Sequence, residues 1–371
     1  METLSYSDFS LTMHRKTTTR RVPLVGAIEV THRCPQRCVH CYNNLKMSHK
    51  RALLTELNYE EHCRILDEIT EAGCLWLLYT GGEIFARSDF LDIYTYAKQK
   101  GLLITLFTSG LLLDEKAADH LMQWRPFSIE ITLYGRTETT HEQVTRTAGS
   151  FERTMRAIRL LKERSLPLKL KTIAMTLNRH ELWDLKRFAE EDLGLNFRFD
   201  AMINPRIDCS PAPLSLRLSP QEIVDLDRKD PSRMAEWKKF ADEYNGPVHP
   251  PDKHDELYHC GAGISAFDVD PYGRLRLCGL LPDAGWNLRS GSFEQGWEVL
   301  AKARQAKAGR LTKCTDCEIK AMCGMCPANG KLENQDAEEP VDFLCRVAHL
   351  RAKALGISVA PHTECRYCGA A

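Results

Sequence analysis

Between Val25 and about Ile203, short apolar runs alternate with segments whose apolar residues return every three or four positions, as at Ile65, Ile69 and Ala72. The short runs cover 26–31, 75–80, 102–108, 128–133, 168–175 and 196–203, and read as strands. The segments between them, 59–72, 89–100, 115–124, 151–164 and 181–192, read as amphipathic helices. Alternation of this kind implies parallel strands joined by crossover helices. Six such units fit an α/β fold of open, partial (β/α)6 TIM-like barrel type, in which chemistry gathers at the carboxyl ends of the strands.

Beyond residue 203 the pattern changes. Residues 204–256 bring Pro205, Pro211, Pro213 and Pro220 and a charged run at 225–230. They read as a connecting region with helices near 220–227 and 232–244, in which Trp237 and Phe240 are packing residues. A small cysteine-rich domain is expected over 257–350, with an N-terminal arm at 1–24, a barrel core at 25–203 and a tail at 351–371.

At 371 residues the chain can bury a large core and form more than one domain. Its formal charge is zero, so nothing draws it nonspecifically to nucleic acid or to an anionic membrane. No apolar run approaches a membrane span, and the first 20 residues lack the apolar centre of a signal peptide, so a cytoplasmic location is expected. Fifteen cysteines in that reducing compartment point to metal ligation rather than to a disulfide framework.

The first cysteine group, Cys34, Cys38 and Cys41, stands in a C-x3-C-x2-C spacing directly after the first strand. Three thiolates on a tight loop can hold three irons of a cubane and leave the fourth without a protein ligand. A structural zinc site with His32 or His40 as fourth ligand is the alternative. The second strand runs into Gly81-Gly82-Glu83, either a plain glycine turn or a stretch whose backbone lets a ligand approach closely. The third ends in Thr108-Ser109-Gly110 and the fourth in Thr132-Leu133-Tyr134-Gly135, followed by Glu138, His141 and Arg146.

A second group follows, with Cys260, then Gly273, Cys278, the array Cys314-x2-Cys317-x5-Cys323-x2-Cys326, and Cys345. Asp270 to Arg274 has the composition of a hairpin turn between two β-like runs. The paired C-x2-C units alone also fit a zinc ribbon. The tail adds Cys365 and Cys368, read as a further ligand, a redox pair or no functional element.

Taken together, these motifs resemble a radical S-adenosylmethionine (SAM) enzyme with a C-terminal SPASM domain, over roughly residues 25 to 350. The resemblance implies that Cys34, Cys38 and Cys41 hold a [4Fe–4S] cluster that chelates SAM. It places Tyr42, Gly81, Gly82, Glu83, Thr108, Ser109, Thr132 and Arg146 around that cofactor, with Arg146 meeting its carboxylate. A surface ion pair is the other reading of Arg146, and His141 reads as a hydrogen-bonding residue rather than a base. Two auxiliary [4Fe–4S] clusters are implied, an outer one on Cys314, Cys317, Cys323 and Cys345 and an inner one on Cys260, Cys278 and Cys326. Departures from the pattern are Ile84, where a proline usually follows Gly-Gly-Glu, and two residues rather than three between Cys323 and Cys326.

The function implied is oxidative modification of a peptide or protein side chain, cross-linking or similar, with the auxiliary clusters passing electrons or binding substrate. A flavodoxin- or ferredoxin-type protein would supply electrons. The roughly 20 residues before the first strand are too few for a leader-binding domain, so a separate leader-recognition protein is expected where a leader is used. Small-molecule tailoring, such as oxidative decarboxylation of a tetrapyrrole precursor, is the alternative. Formylglycine-type sulfatase maturation loses ground because Gly279 stands where those enzymes have an aspartate. A purely electron-transferring protein would have no use for Gly81-Gly82-Glu83 at a strand end beside an incomplete cluster site.

Overall fold

The computed structural model describes residues 5–244, 256–281, 285–361 and 365–368. Parts of the expected arm, connecting region and tail, namely 1–4, 245–255, 362–364 and 369–371, lie outside the described residues. The chain divides into two units, one of residues 1–200 with 261–304, the other of 201–260 with 305–371.

The first unit is built on a nine-stranded sheet. After helix α1 (Tyr6–Thr18) come β1 (Val25–Glu29), the short strands β2 (Arg33–Cys34) and β3 (Leu45–Lys46), and helices α2 (Lys50–Thr55) and α3 (Tyr59–Glu71). Then strands β4 (Trp76–Thr80), β5 (Leu103–Thr108), β6 (Ser128–Thr132), β7 (Leu168–Ile173) and β8 (Phe197–Asp200) alternate with helices α4 (Phe90–Gln99), α5 (Glu115–Gln123), α6 (Glu138–Thr145), α7 (Ser150–Glu163) and α8 (Leu182–Arg187). Strands β1, β4, β5, β6, β7 and β8 are neighbours in that order and all parallel. These are the six expected strands. Ile28, Tyr79, Ile104, Leu106, Ile131 and Leu170 are fully or almost fully buried along them, which is why the runs read as apolar.

Helix starts follow the local chemistry. Asn58 and Glu61 form a reciprocal capping box at the head of α3, satisfying two backbone N–H groups that have no partner within the helix. The last expected helix, 181–192, divides: α8 ends at Arg187 and Phe188–Asp192 continues as a wider π turn.

On its other side β1 pairs in parallel with β9 (Ala266–Val269), Ile28 standing opposite Val269. The turn at 270–273 does join two antiparallel strands, β9 and β10 (Arg274–Arg276), and β11 (Gly285–Asn287) completes that edge. Asp270 closes the turn by accepting from the Tyr272 and Arg274 amides, each at 2.9 Å. Helix α11 (Phe293–Arg304) ends the unit and stacks Phe293 and Trp297 near Phe267 of β9.

The second unit contains α9 (Pro220–Lys229), α10 (Pro231–Tyr244), α12 (Lys320–Cys323), α13 (Pro327–Asn334) and α14 (Asp342–Ala354). Its helices are tied by Asp227, fully buried on α9. One carboxylate oxygen accepts from Arg351 of α14 at 2.8 and 3.0 Å, the other from Arg233 of α10 at 2.8 and 3.1 Å. The Arg351 guanidinium also lies 3.7 Å over the Trp237 ring. Residues 201–244 therefore fold with the cysteine array of 314–326, supporting it through the apolar set Ala241, Ile319, Met322, Ala348 and Ala352.

Candidate active site and metal centres

Cys34 closes β2, whose parallel pairing with β3 clamps both ends of the cysteine loop. The loop is then tied along its length. Arg37 and Val39 donate their amides to the carbonyls of Thr145 and Val144 at the end of α6, at 2.9 and 3.0 Å. The Cys41 amide turns back to the Cys38 carbonyl at 3.1 Å. The loop's entry is set by Arg33, buried and bonded to Glu56 at 2.8 to 3.2 Å. All three thiols are thus presented on one short loop after β1, an interior strand paired in parallel on both sides.

Burial raises two of these thiols, Cys34 and Cys38, against ionisation. Cys34 is pushed up to about 12, and Cys38 well above the usual thiol value, by loss of solvent and then by the neighbouring charges. Inside the same loop Gln36 Nε2 and His40 Nδ1 are buried without a hydrogen-bond partner among the described residues, and burial holds His40 down to about 4.

Gly81 and Gly82 are glycine for a reason the sequence does not show. The Gly82 amide donates to the Thr31 carbonyl at 2.6 Å and the Glu83 amide to the Arg33 carbonyl at 3.0 Å. A Cβ on Gly81 would stand 2.2 Å from the Thr31 oxygen, and one on Gly82 2.4 Å from that of Arg33. The pair therefore lets the end of β4 lie directly against the strand entering the cysteine loop.

Glu83 is fully buried and accepts from four groups. Its Oε1 takes the Thr108 hydroxyl at 2.6 Å and the Phe85 amide at 3.3 Å, and its Oε2 takes the Ser109 amide at 2.9 Å and the Ser109 hydroxyl. Thr108 and Ser109 thus spend their hydroxyls on Glu83, joining the ends of β4 and β5. Thr132 is half-buried at the end of β6. His141 is buried, held down to about 4 by burial, and accepts the Tyr134 amide at 3.2 Å, a role in hydrogen bonding. Arg146 ends α6 in the left-handed conformation (φ 53°), with its side chain exposed.

In the second cysteine group, Cys278 belongs to the first unit and the others to the second. Cys314, Cys317, Cys323 and Cys345 line one small recess with Lys313, Lys320 and His349. Burial pushes Cys317 up to about 11 and Cys323 up to about 12. Cys260 is exposed and adds its charge to the raising of Cys326, which caps α13.

The family model of the radical SAM superfamily matches residues 28–189, from β1 through the cysteine loop to the π turn after α8. Residues 28–189 are a radical SAM domain. PqqA peptide cyclase of Granulibacter bethesdensis is 34% identical over 169 residues, 45% of this chain but only 44% of that protein's length. AlbA of Bacillus subtilis, an antilisterial bacteriocin subtilosin biosynthesis protein, is 25% identical over 85% of this chain and 69% of its own. The AdoMet-dependent heme synthase of Methanosarcina barkeri is 25% identical over 86% and 95% respectively. Among solved structures, Streptococcus suis SuiB bound to precursor peptide SuiA shares the fold, with a TM-score of 0.69 at 14% identity over 93% of this chain and 82% of that one.

The first unit carries a buried polar network that the motifs did not announce. Glu29, the last residue of β1, accepts from Arg276 of β10 at 2.6 Å, from Asn43 at 2.9 Å and from Tyr42 at 3.4 Å, and meets His32 at 3.1 Å. Arg276 also binds Asp268 of β9 at 2.8 Å through Nε. Burial pushes Asp268 up to about 7, against Arg276 and aided by the charge of Glu29. Glu29, despite the same burial, is held below the ordinary carboxylate value by His32 and Arg276. The signal for this network was a carboxylate inside each of two apolar strands, Glu29 and Asp268. It anchors Tyr42 and Asn43, which follow directly on Cys41.

Proposed function

We propose that the chain is a radical SAM enzyme that oxidatively modifies a side chain of a peptide or protein. The observation that carries this reading is the clamped loop bearing Cys34, Cys38 and Cys41 beyond the carboxyl end of β1, an interior parallel strand. Three soft sulfur donors fit an iron–sulfur cluster with one iron unligated by protein. When bound, cluster and SAM supply a 5′-deoxyadenosyl radical able to take an unactivated hydrogen.

The chain's own residues position that chemistry. Gly81 and Gly82 hold the β4 end against the cysteine loop, and Glu83 fixes Thr108 and Ser109 beside it. Arg146, exposed at the end of the helix that ties the loop, offers a guanidinium to the carboxylate of SAM. Tyr42, Thr132 and the Gly81–Glu83 backbone complete the contacts with the cofactor. Cys314, Cys317, Cys323 and Cys345 hold an auxiliary iron–sulfur cluster, and Cys260 and Cys326 contribute to another. A flavodoxin- or ferredoxin-type protein delivers the electron in the cytoplasm, and a separate protein presents the leader where the substrate has one.

The likeness to PqqA peptide cyclase, and to AlbA, a bacteriocin biosynthesis protein, supports a peptide substrate. A second reading, oxidation of a tetrapyrrole precursor, is favoured by one observation: the heme synthase aligns over nearly its whole length. Anaerobically purified protein given SAM and a strong reductant is expected to release 5′-deoxyadenosine. Cys34→Ala/Cys38→Ala/Cys41→Ala is expected to lose one cluster's iron and all of that product; a variant that keeps its iron, or still cleaves SAM, overturns the reading. Mass spectrometry of short peptides encoded beside the gene separates the substrates. Loss of hydrogen from a peptide supports the first, and carbon dioxide released from a tetrapyrrole supports the second.

A further inference from the structure

We propose that Lys171 and Arg198, backed by Glu130 and Phe107, form a subsite that receives a carboxylate of the substrate on the face of the sheet turned from the helices. Its place in the reaction rests on the radical SAM reading above, which puts the chemistry at the carboxyl ends of these strands.

Alternation along the strands separates the two faces. Tyr79 of β4 meets Phe90 of α4, and Phe199 of β8 meets Trp183 of α8, with ring centres 5.5 and 5.9 Å apart. A Cβ on Gly110 would touch both Ile131 of β6 and Ala157 of α7. Tyr79, Ile131 and Phe199 therefore face the helices, and Glu130, Thr132 and Arg198, next to them in the chain, face away. The register extends that row: Lys171 stands opposite Thr132 on one side and Arg198 on the other. Lys171 thus lies beside a residue proposed above to contact the cofactor.

Charge fills this face. Glu130 Oε2 accepts from Arg198 at 2.5 Å and meets Lys171 Nζ at 3.4 Å, while the Lys171 ammonium lies over the Phe107 ring. Among the described residues Glu130 is the one carboxylate that Lys171 meets. Lys169 and Asp200, two residues away on the same face, add one charge of each sign. Two cations share a single anion, and one positive charge is left without a partner. The deficit shows at Lys171, whose side chain is 18% exposed. Burial, with the charge of Arg198, lowers it to about 7 against the pull of Glu130.

A carboxylate between Lys171 and Arg198 supplies the missing anion. Arg198, 61% exposed, leaves the approach open. An acidic side chain of a peptide and the carboxylates of a tetrapyrrole both offer this group.

The test follows Lys171 in the full chain purified without oxygen, by trace labelling with acetic anhydride at pH 7 and mass spectrometry of its peptides. Pairing with a carboxylate raises the amine's pKa by about one or more, which cuts its neutral, reactive fraction about fivefold. Glutarate is expected to slow Lys171 by that factor where sodium chloride of equal ionic strength does not. Arg198→Met, on the edge strand, is expected to lose most of the effect, and Arg198→Lys, which keeps the charge, to retain it. Two further probes separate the sources: acetyl-Gly-Gly-Glu-Gly-Gly-amide and a porphyrin tetracarboxylate, each beside its carboxamide analogue. Protection at lower concentration by the first supports an acidic peptide residue, and by the second a tetrapyrrole. The proposal is overturned if Lys171 never reacts in the free protein, if glutarate acts no better than chloride, or if Arg198→Met is protected like the wild type. SAM cleavage by the same wild-type preparation is scored apart. Release of 5′-deoxyadenosine without protection sinks the subsite alone, and protection without 5′-deoxyadenosine counts against the radical chemistry while the carboxylate site stands.

Discussion

Glu83→Gln changes one atom at the point where the ends of β4 and β5 meet behind the cysteine loop. In the native protein the side chain accepts four hydrogen bonds and donates none. Two donors are hydroxyls, Thr108 and Ser109, which can rotate and accept instead. The other two are the amides of Phe85 and Ser109, which cannot. Whichever way a glutamine amide is turned, its NH2 group faces one of those backbone N–H groups. Leaving one buried donor unsatisfied costs about 1–3 kcal/mol, and the remaining bonds lose their charge assistance, each falling from about 1.5–3 toward about 1 kcal/mol. A net loss of about 3 kcal/mol follows, or a fall of roughly 6–12 °C in the unfolding midpoint of a unit of this size. Thermal unfolding of the apoprotein measures it, with iron retention after reconstitution as the second readout. Glu83→Ala, which removes the acceptor altogether and leaves a cavity, is expected to be worse than Glu83→Gln. A glutamine variant within about 2 °C of wild type would show that the four contacts do not act together, and the argument for a rigid strand end beside the cysteines would fall with it.

Three further expectations come from buried charge. Asp227→Asn removes the shared partner of Arg233 and Arg351 and is expected to cost about 3–5 kcal/mol, because two guanidinium groups are left facing each other; selective unfolding of the second unit, followed by proteolysis, checks it. His62, buried with both ring nitrogens unpartnered, is held down to about 3 by burial and then by Arg87, against about 6.5 when unfolded. The unfolded state then binds the extra proton, so stability falls as pH drops below about 6.5, by about 2 kcal/mol at pH 5, and His62→Leu is expected to remove that slope in denaturant titrations. Lys171 is lowered to about 7 by burial while meeting Glu130 at 3.4 Å, so stability is expected to rise with pH between about 7 and 10.5, a slope that Lys171→Met abolishes.

What could be read in advance, and what could not, divides by the range of the interaction. The six parallel strands were legible because each strand's apolar character and each helix's three- and four-residue period are local properties of short windows. The pairing of β9 with β1 was not, since Val25 and Ala266 meet across most of the chain and nothing in either segment names its partner. The Glu29–Arg276–Asp268 network follows from that pairing, so it was hidden for the same reason.

Gly81 and Gly82 make the sharper case. The expected cause of glycine there is the approach of a ligand, whereas the protein's own backbone at Thr31 and Arg33 already forbids a Cβ at both positions. The two causes make different predictions. If ligand approach alone required glycine, Gly82→Ala would weaken SAM binding and leave the apoprotein as stable as before. Because the Cβ would stand 2.4 Å from the Arg33 carbonyl, the substitution must instead push the β4 end away from the residue preceding Cys34. That displacement breaks the Glu83 amide bond to Arg33 and loosens the loop before any cofactor arrives. Gly82→Ala is therefore expected to lower apoprotein stability by about 1–3 kcal/mol and to slow iron uptake at the first cluster, with SAM affinity falling only as a consequence. An alanine variant of wild-type stability that took up iron normally and failed only in SAM binding would return the glycine pair to the cofactor.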